Sequence, residues 1–249
     1  MPRRVDFSAN SPIYDKRHGV AISAQLAEAL ANGLTNASRI IDIGAGTGRV
    51  SVALANEGLR VVAVDPAIAM LRTMRQKPGG GAAEGTRLPF RRGSADVVIL
   101  ARLLYLVAGW QELLRETKEV LRKGGTLFHE WGNGNDTERW VEVREKARTL
   151  FQDAGIEDPF HPGARTELAV DSFLGELGFV RREQIAAGAG PVITLTDFLN
   201  KIASGEFSYI WNIPKDVQDS CLPRLRRWCE SRFDLDQPVP IPAELKWIR

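Results

Sequence analysis

The chain has 249 residues, of which 44% are hydrophobic, enough for a sizeable core in one large domain or one domain with extensions. Its 33 basic and 31 acidic residues leave a net charge of +2, a balance that disfavours nucleic acid as a standing partner. Cys221 and Cys229 lack Cys-x-x-Cys spacing, so we expect two ordinary thiols in a reducing compartment. No pair of histidines has metal-ligand spacing, so no metal site is expected.

No segment of the sequence predicts a membrane span. The longest apolar stretch, ADVVILARLLYLV, is interrupted by Arg102 and is too short to cross a bilayer. The amino terminus, MPRRVDFSAN, is polar from the start and does not have the pattern of a secretion signal. We therefore expect a soluble, cytoplasmic protein without a membrane partner.

The first half of the chain predicts an α/β fold. AISAQLAEALANGL has alanine and leucine at helical spacing, which indicates a helical cover within residues 1–38. From Ile40 to Glu130, short β-branched runs alternate with helical segments, as in βαβ units around a parallel sheet. The predicted strands are Arg39–Ile43, Leu59–Asp65, Ala95–Ala101 and Thr126–Glu130. The predicted crossover helices end at Gly58, before Pro78, and at the pair Gly124 and Gly125. KPGGGAAEG leaves room only for a short edge strand.

The second half predicts further helices and two more strands. An amphipathic helix is expected over Asp136–Ala154, ended by DPFHPG. VDSFLGELGFVRREQI indicates a helix that ends at Gly178 and runs into a strand, and ELKWIR indicates a last strand. Between them, PKDVQDSCLPRLRRWCESRF predicts a helix with an irregularity at Pro223.

The segment DIGAGTGR, residues 42–49, follows the first predicted strand directly. In a doubly wound sheet, ligands bind where the first strand turns into its helix, and glycines there let a ligand approach the main chain. The dinucleotide fingerprint requires its third glycine at position 49, which is Arg49, and the lysine of a phosphate-binding P-loop is absent. The spacing therefore favours another nucleotide-like ligand, with a turn that binds nothing as the alternative.

At these residues the chain resembles the class I S-adenosylmethionine-dependent methyltransferases. IIDIGAGTGR, VVAVD, DPAIAML, AAEGTRLPF, ADVVILARLLYLV and EVLRKGGTLF are similar to family motifs and occur in the family's order over about residues 39–131. The resemblance implies a doubly wound, mostly parallel seven-stranded sheet with helices on both faces, in the order 3-2-1-4-5-7-6, with strand 7 antiparallel and strand 3 short. It divides the chain into a cover at 1–38, a cofactor-binding core at 39–186 with a helical lid at about 132–170, and an extension at 187–249.

The resemblance also implies a set of cofactor-binding residues. Asp65 stands where the family binds both ribose hydroxyls, or it only caps the next helix. Met70 packs on the adenine or fills the core, and Arg102 lines the cofactor or is a solvated charge. Tyr14 and Arg17 either close over the methionyl carboxylate or form a surface turn. The complete expected set is Tyr14, Arg17, Asp42, Gly44, Ala45, Gly46, Asp65, Pro66, Met70, Glu84, Gly85 and Arg102, with Glu84 and Gly85 replacing the family's usual Asp and Ala.

The activity implied by the resemblance is methyl transfer from S-adenosyl-L-methionine to a small molecule. A general base is needed only for some acceptors, and the candidates are His129, Glu130, Tyr14 and His18. Aromatic residues of the lid and tail either line an acceptor pocket or only pack the core: Trp140, Phe160, Phe207, Tyr209 and Trp211. Alternatives are a nucleic-acid or protein methyltransferase, a non-catalytic cofactor-binding protein, and an NAD-dependent oxidoreductase, the last opposed by the glycine spacing. ARLLY stands where amino-methylating nucleic-acid enzymes carry Asn/Asp-Pro-Pro-Tyr/Phe.

Overall fold

The computed structural model describes residues 7, 24–32, 34–35, 38–74, 79–131, 138–157, 161–181 and 189–242. They fall into two compact units. The sheet unit takes its described residues from 6–132 and 163–187, and the helical unit takes its described residues from 133–162 and 188–244. The three predicted domain boundaries remain a prediction.

The elements follow the alternation of the sequence. In the sheet unit they are α1 (Ala24–Ala31), β1 (Ile40–Ile43), α2 (Ser51–Asn56), β2 (Val61–Val64), α3 (Ile68–Arg72), β3 (Gly79–Gly81), β4 (Ala95–Ala101), α4 (Trp110–Val120), β5 (Leu121–Glu130) and α6 (Glu167–Glu176). In the helical unit they are α5 (Glu138–Asp153), β6 (Ala189–Ile193), α7 (Leu195–Ala203), a 3-10 helix (Ser208–Ile210), α8 (Lys215–Glu230) and β7 (Val239–Pro242).

The main sheet has five described strands in the order β3-β2-β1-β4-β5, and each neighbouring pair is parallel. This confirms the predicted order 3-2-1-4-5 and the short glycine strand at its edge. The extension to seven strands is not confirmed. Within the described residues, β6 and β7 pair antiparallel in a separate two-stranded sheet of the helical unit.

Side chains pack on both faces of the sheet, because successive side chains of a strand point to opposite faces. Val98 and Leu100 of β4 belong to a core cluster that includes Leu113 and Leu114 of α4 and Leu174 of α6. Their neighbours Val97 and Ile99 belong to a second cluster with side chains of α1 and α2. The doubly wound arrangement implied by the resemblance is therefore present in the described strands.

Two boundaries in the sheet unit differ from the sequence prediction. The helix expected to reach Gly124 ends at Val120, because the following residues enter β5, where Leu121 pairs with Ala95. The register then shifts, and Thr126 pairs with Val97. Near the other end of the unit, α6 is followed by Gly178 at φ +85°, as predicted, but residues 179–181 do not form the expected strand. Residues 182–187 and ELKWIR lie outside the described residues.

The helical unit is built around α5, α7 and α8. Val143, Leu150 and Phe151 of the predicted amphipathic helix pack with Leu199 and Leu225 in one core cluster. The helix α8 runs through Pro223 without interruption. Both cysteines are free, buried thiols of α8, and burial raises the pKa of Cys229 to about 11. Among the described helices of both units, none is long and apolar enough to cross a membrane.

Candidate cofactor-binding site

The glycine-rich turn between β1 and α2 is tied to the end of β2. The amides of Gly44 and Ala45 donate to the carbonyl oxygen of Val64 at 2.8 and 3.1 Å. Gly44 has φ +71°, and a Cβ added there would lie 2.6 Å from Leu103 Cδ1. A larger residue would be strained by the positive φ and would press on the segment after β4. The turn thus needs glycine at this position for both backbone and packing reasons.

Asp65 connects the end of β2 with the glycine turn. Its Oδ2 accepts a hydrogen bond from the Gly46 amide at 3.0 Å, and its Oδ1 accepts one from the Ala67 amide at 2.8 Å. Gly46 itself has φ +57°. The carboxylate therefore bonds to the main chain both of the turn and of Ala67, the residue before α3, which begins without a side-chain cap. The structure brings Asp42, Gly44, Ala45, Gly46 and Asp65 together at this turn, and their contact with a cofactor stays a prediction.

Asp42 is a buried acid at the base of this turn. Its side chain is 1% exposed, its Oδ2 accepts a hydrogen bond from the hydroxyl of Ser51, and its Oδ1 has no hydrogen-bond partner. Burial raises the pKa of the Asp42 carboxyl to about 7, although Ser51 and Arg49 act in the opposite direction. A buried oxygen without a partner is costly, so this side of the turn is suited to a polar ligand atom or a water molecule.

A second buried acid, Glu130, ends β5 and holds two arginines. Its Oε1 accepts a hydrogen bond from Arg102 Nε at 2.7 Å, and its Oε2 pairs with Arg49 Nη2. Glu130 is 1% exposed, so the ion pairs are what make its burial tolerable. Because both carboxylate oxygens contact guanidinium groups, Glu130 is better placed to hold side chains than to meet a methyl acceptor.

Four further predicted cofactor residues lie at α3 and in the turn between β3 and β4. Pro66 is exposed immediately before α3, whereas Met70 on α3 is only 2% exposed and packs in the core in this structure. Glu84 and Gly85 lie in the turn between β3 and β4, where Glu84 forms an isolated bridge with Arg87. A contact of these four residues with a cofactor stays a prediction.

Of the histidine and tyrosine candidates for a general base, His129 lies within the described residues. His129 is fully buried on β5, neither ring nitrogen has a hydrogen-bond partner, and its ring lies 6.3 Å from that of Trp131. Burial lowers the pKa of His129 to about 4, which keeps the imidazole neutral near pH 7. Tyr14, Arg17 and His18 lie outside the described residues, so their roles stay predictions.

The predicted aromatic residues of the lid and tail fall partly outside the described residues. Phe207 and Tyr209 have ring centroids 5.5 Å apart, and Trp211 Nε1 donates to the Gly205 carbonyl at 2.7 Å. All three pack against the core of the helical unit. The side chain of Trp140, and Phe160 as a whole, are not described. In the described part of the chain, no group of three or more His, Cys, Asp or Glu side chains could hold a metal ion.

Sequence reasoning missed the link between Arg49, Arg102 and Glu130. Arg102 was assigned to the cofactor and Glu130 to the candidate bases, while Arg49 received no role. The signal was available, because Arg102 follows β4, Glu130 ends β5, and the carboxyl ends of parallel strands meet at one edge.

The fold and this site together define a class of protein. It is a doubly wound α/β domain with a glycine-rich turn at the carboxyl end of its first strand, the place where such domains bind nucleotide-like ligands. Residues 41–129 match the family model of the methyltransferase domain. This match and the similar proteins below support a class I S-adenosylmethionine-dependent methyltransferase domain over residues 41–129.

Individual known proteins are similar to parts of the chain. It is 37% identical over 120 residues to an uncharacterized methyltransferase of Mycobacterium bovis, covering 47% of this chain and 48% of that protein. It is 38% identical over 96 residues to the demethylmenaquinone methyltransferase of Beutenbergia cavernae, covering 36% of this chain and 38% of that protein. The chain thus spans about half, or less, of the length of these relatives.

One solved structure is similar to this chain over nearly the full length of the chain. A candidate methyltransferase of an antibiotic biosynthesis pathway in Anabaena variabilis has a TM-score of 0.63 and 20% identity, covering 93% of this chain and 98% of that one. At this identity the similarity concerns the fold alone.

Proposed function

We propose that the protein is an S-adenosyl-L-methionine-dependent methyltransferase that acts on a small-molecule acceptor. The observation that carries the proposal is the turn of residues 44–48, with its positive-φ glycines set against Asp65 at the end of β2. The order of motifs around it is the one that the methyltransferase domain has.

The residues present fit this cofactor. Asp65 has the acceptor capacity for two ribose hydroxyls, since a carboxylate has about four acceptor positions. Gly46 presents main chain rather than a side chain to the ligand, and the unpartnered Oδ1 of Asp42 offers a buried acceptor close to the same turn. Arg102 follows β4 and is held by Glu130.

When bound, S-adenosyl-L-methionine supplies a methyl group that its sulfonium already activates. The task of the chain's own residues is then to orient the two reactants and exclude water. His129 is neutral and buried, so it is a candidate base only for an acceptor that reaches the carboxyl end of β5. A dedicated base is not required for an acceptor that is already nucleophilic.

A small-molecule acceptor is supported by the balanced charge of the chain and by the sequence ARLLY after β4. One relative is named for transfer to demethylmenaquinone, which is a small molecule. A nucleic-acid or protein acceptor, and a protein that binds the cofactor without transfer, are the competing functions.

Purified protein incubated with methyl-labelled S-adenosyl-L-methionine separates these functions. Panels of hydroxylated, amine and quinone small molecules, of RNA and of protein are offered, and label transfer and retention are both measured. We expect retention in every case and transfer only to small molecules. Transfer to RNA or protein would contradict the acceptor class, and absence of retention would contradict the cofactor.

A further inference from the structure

The segment after β4 holds an unusual backbone conformation. Arg102 has φ +54° and is the single non-glycine residue with a positive φ in the described part of the chain. Side chains disfavour this region because Cβ crowds the main chain, so such a residue persists only where its surroundings hold it. Strained positions of this kind concentrate at ligand sites.

Glu130 supplies the contacts that hold Arg102. The Glu130 carbonyl oxygen accepts from the Arg102 amide at 2.9 Å, and the Glu130 carboxylate accepts from the Arg102 guanidinium at 2.7 Å. One residue of β5 therefore binds both the main chain and the side chain of the strained residue.

The same carboxylate reaches the other side of the candidate cofactor site. Its second oxygen pairs with Arg49, the last residue of the glycine-rich segment before α2. Leu103, next to Arg102, is packed so closely on Gly44 that a Cβ there would lie 2.6 Å from it. The turn after β4 and the turn after β1 are thus fixed against each other by one buried acid and one apolar contact.

We propose that Glu130 is a positioning residue for cofactor binding: it locks Arg102 in its positive-φ conformation and joins that turn to the glycine-rich turn through Arg49. Glu130 acts through the two arginines and not by touching the ligand. The inference rests on the proposed function for its ligand, but the lock itself is a property of the protein alone. A preorganised site loses less freedom on binding, so release of the lock weakens binding.

Glu130→Gln keeps the size of the side chain and removes its charge. Loss of charge-assisted hydrogen bonds predicts about tenfold to a hundredfold weaker binding of S-adenosylhomocysteine by calorimetry. Amide hydrogen exchange at Arg102, measured without ligand, should become about tenfold faster or more. The matched control is Asp96→Asn, which removes another acid that holds two arginines, Arg39 and Arg122, at the opposite end of β4. It should leave both readouts unchanged.

A second pair of variants tests the backbone conformation without relying on Glu130→Gln. Arg102→Gly and Arg102→Ala both remove the side chain, but only glycine adopts φ +54° without strain. We expect Arg102→Gly to bind S-adenosylhomocysteine about tenfold more tightly than Arg102→Ala. Equal affinities of these two variants would overturn the proposal.

Two other results bear on the proposal. Unchanged Arg102 exchange in Glu130→Gln, or an equal loss of affinity in Asp96→Asn, would also overturn it. If the wild-type protein binds no S-adenosylhomocysteine, the proposed function fails, and the exchange at Arg102 still decides whether the lock exists.

Discussion

Asp42→Asn tests the burial of the acid under the glycine turn. Burial raises the pKa of Asp42 to about 7, against 3.8 for the unperturbed group. The folded protein therefore binds a proton that the unfolded chain releases between these values. Stability falls as pH rises from about 4 to about 7, because ionisation is then possible only at the cost of a buried charge. Asparagine has no ionisation and is free of this cost.

The two pKa values give the magnitude. Compared with an Asp42 that is protonated in both the folded and the unfolded state, the raised pKa lowers the free energy of unfolding by about 4 kcal/mol at pH 8 and by about 2 kcal/mol at pH 5. The difference in free energy of unfolding between Asp42→Asn and wild type should therefore shift by about 2–3 kcal/mol in favour of the variant from pH 5 to pH 8. Groups common to both proteins cancel in this difference.

Urea unfolding at pH 5, 6, 7 and 8 measures this shift directly. Asp96→Asn is the control, since its arginine partners hold the pKa of Asp96 well below its usual range and place its titration below pH 5. A difference for Asp42→Asn that is flat across this range would refute the reasoning, because Asp42 would then be ionised in the folded protein throughout.

Three further substitutions address the site. Asp65→Ala removes the expected acceptor of the ribose hydroxyls and should weaken cofactor binding by roughly 1.5–3 kcal/mol, about tenfold to more than a hundredfold by calorimetry; unchanged affinity would assign Asp65 to capping alone. Gly46→Val places a β-branched residue at φ +57° and a side chain against the ligand, so a folded variant should show no thermal shift with S-adenosyl-L-methionine, whereas a wild-type shift would mean that the loop is only a turn. His129→Phe removes a histidine whose pKa is lowered to about 4, so wild type should lose about 2 kcal/mol at pH 5 that the variant keeps; equal acid sensitivity in denaturant unfolding would contradict the burial of a neutral ring.

The sequence predicted those parts of the fold that depend on local pattern. The strand limits of β1, β2 and β4 were correct within two residues, because buried parallel strands are continuous β-branched runs between clear turn signals. The end of α4 was wrong by several residues, since LRK has no pattern that separates helix from strand and pairing of Leu121 with Ala95 decides it. The seven-stranded sheet came from the resemblance, and no local pattern shows that, among the described strands, β6 and β7 form a separate pair.

In the candidate site, too, the sequence predicted what local spacing determines and missed what the order of strands determines. The glycines and Asp65 were found because their spacing follows from one strand-to-helix turn and the end of the next strand. The ion pairs of Glu130 join residues 81 and 28 positions apart, and only the order of strands brings them together. The left-handed conformation of Arg102 was not predictable, because nothing in ARLLY marks a positive φ.

The central claim is that the glycine turn and Asp65 bind S-adenosyl-L-methionine, and its most direct test is calorimetric titration of the wild-type protein. Separate titrations use S-adenosyl-L-methionine, S-adenosylhomocysteine and NAD at one pH and salt concentration. The account predicts comparable affinity for the two sulfur compounds, because most contacts are expected on the adenine, ribose and amino acid, and far weaker binding of NAD. Tight binding of NAD with no heat from either sulfur compound would contradict it.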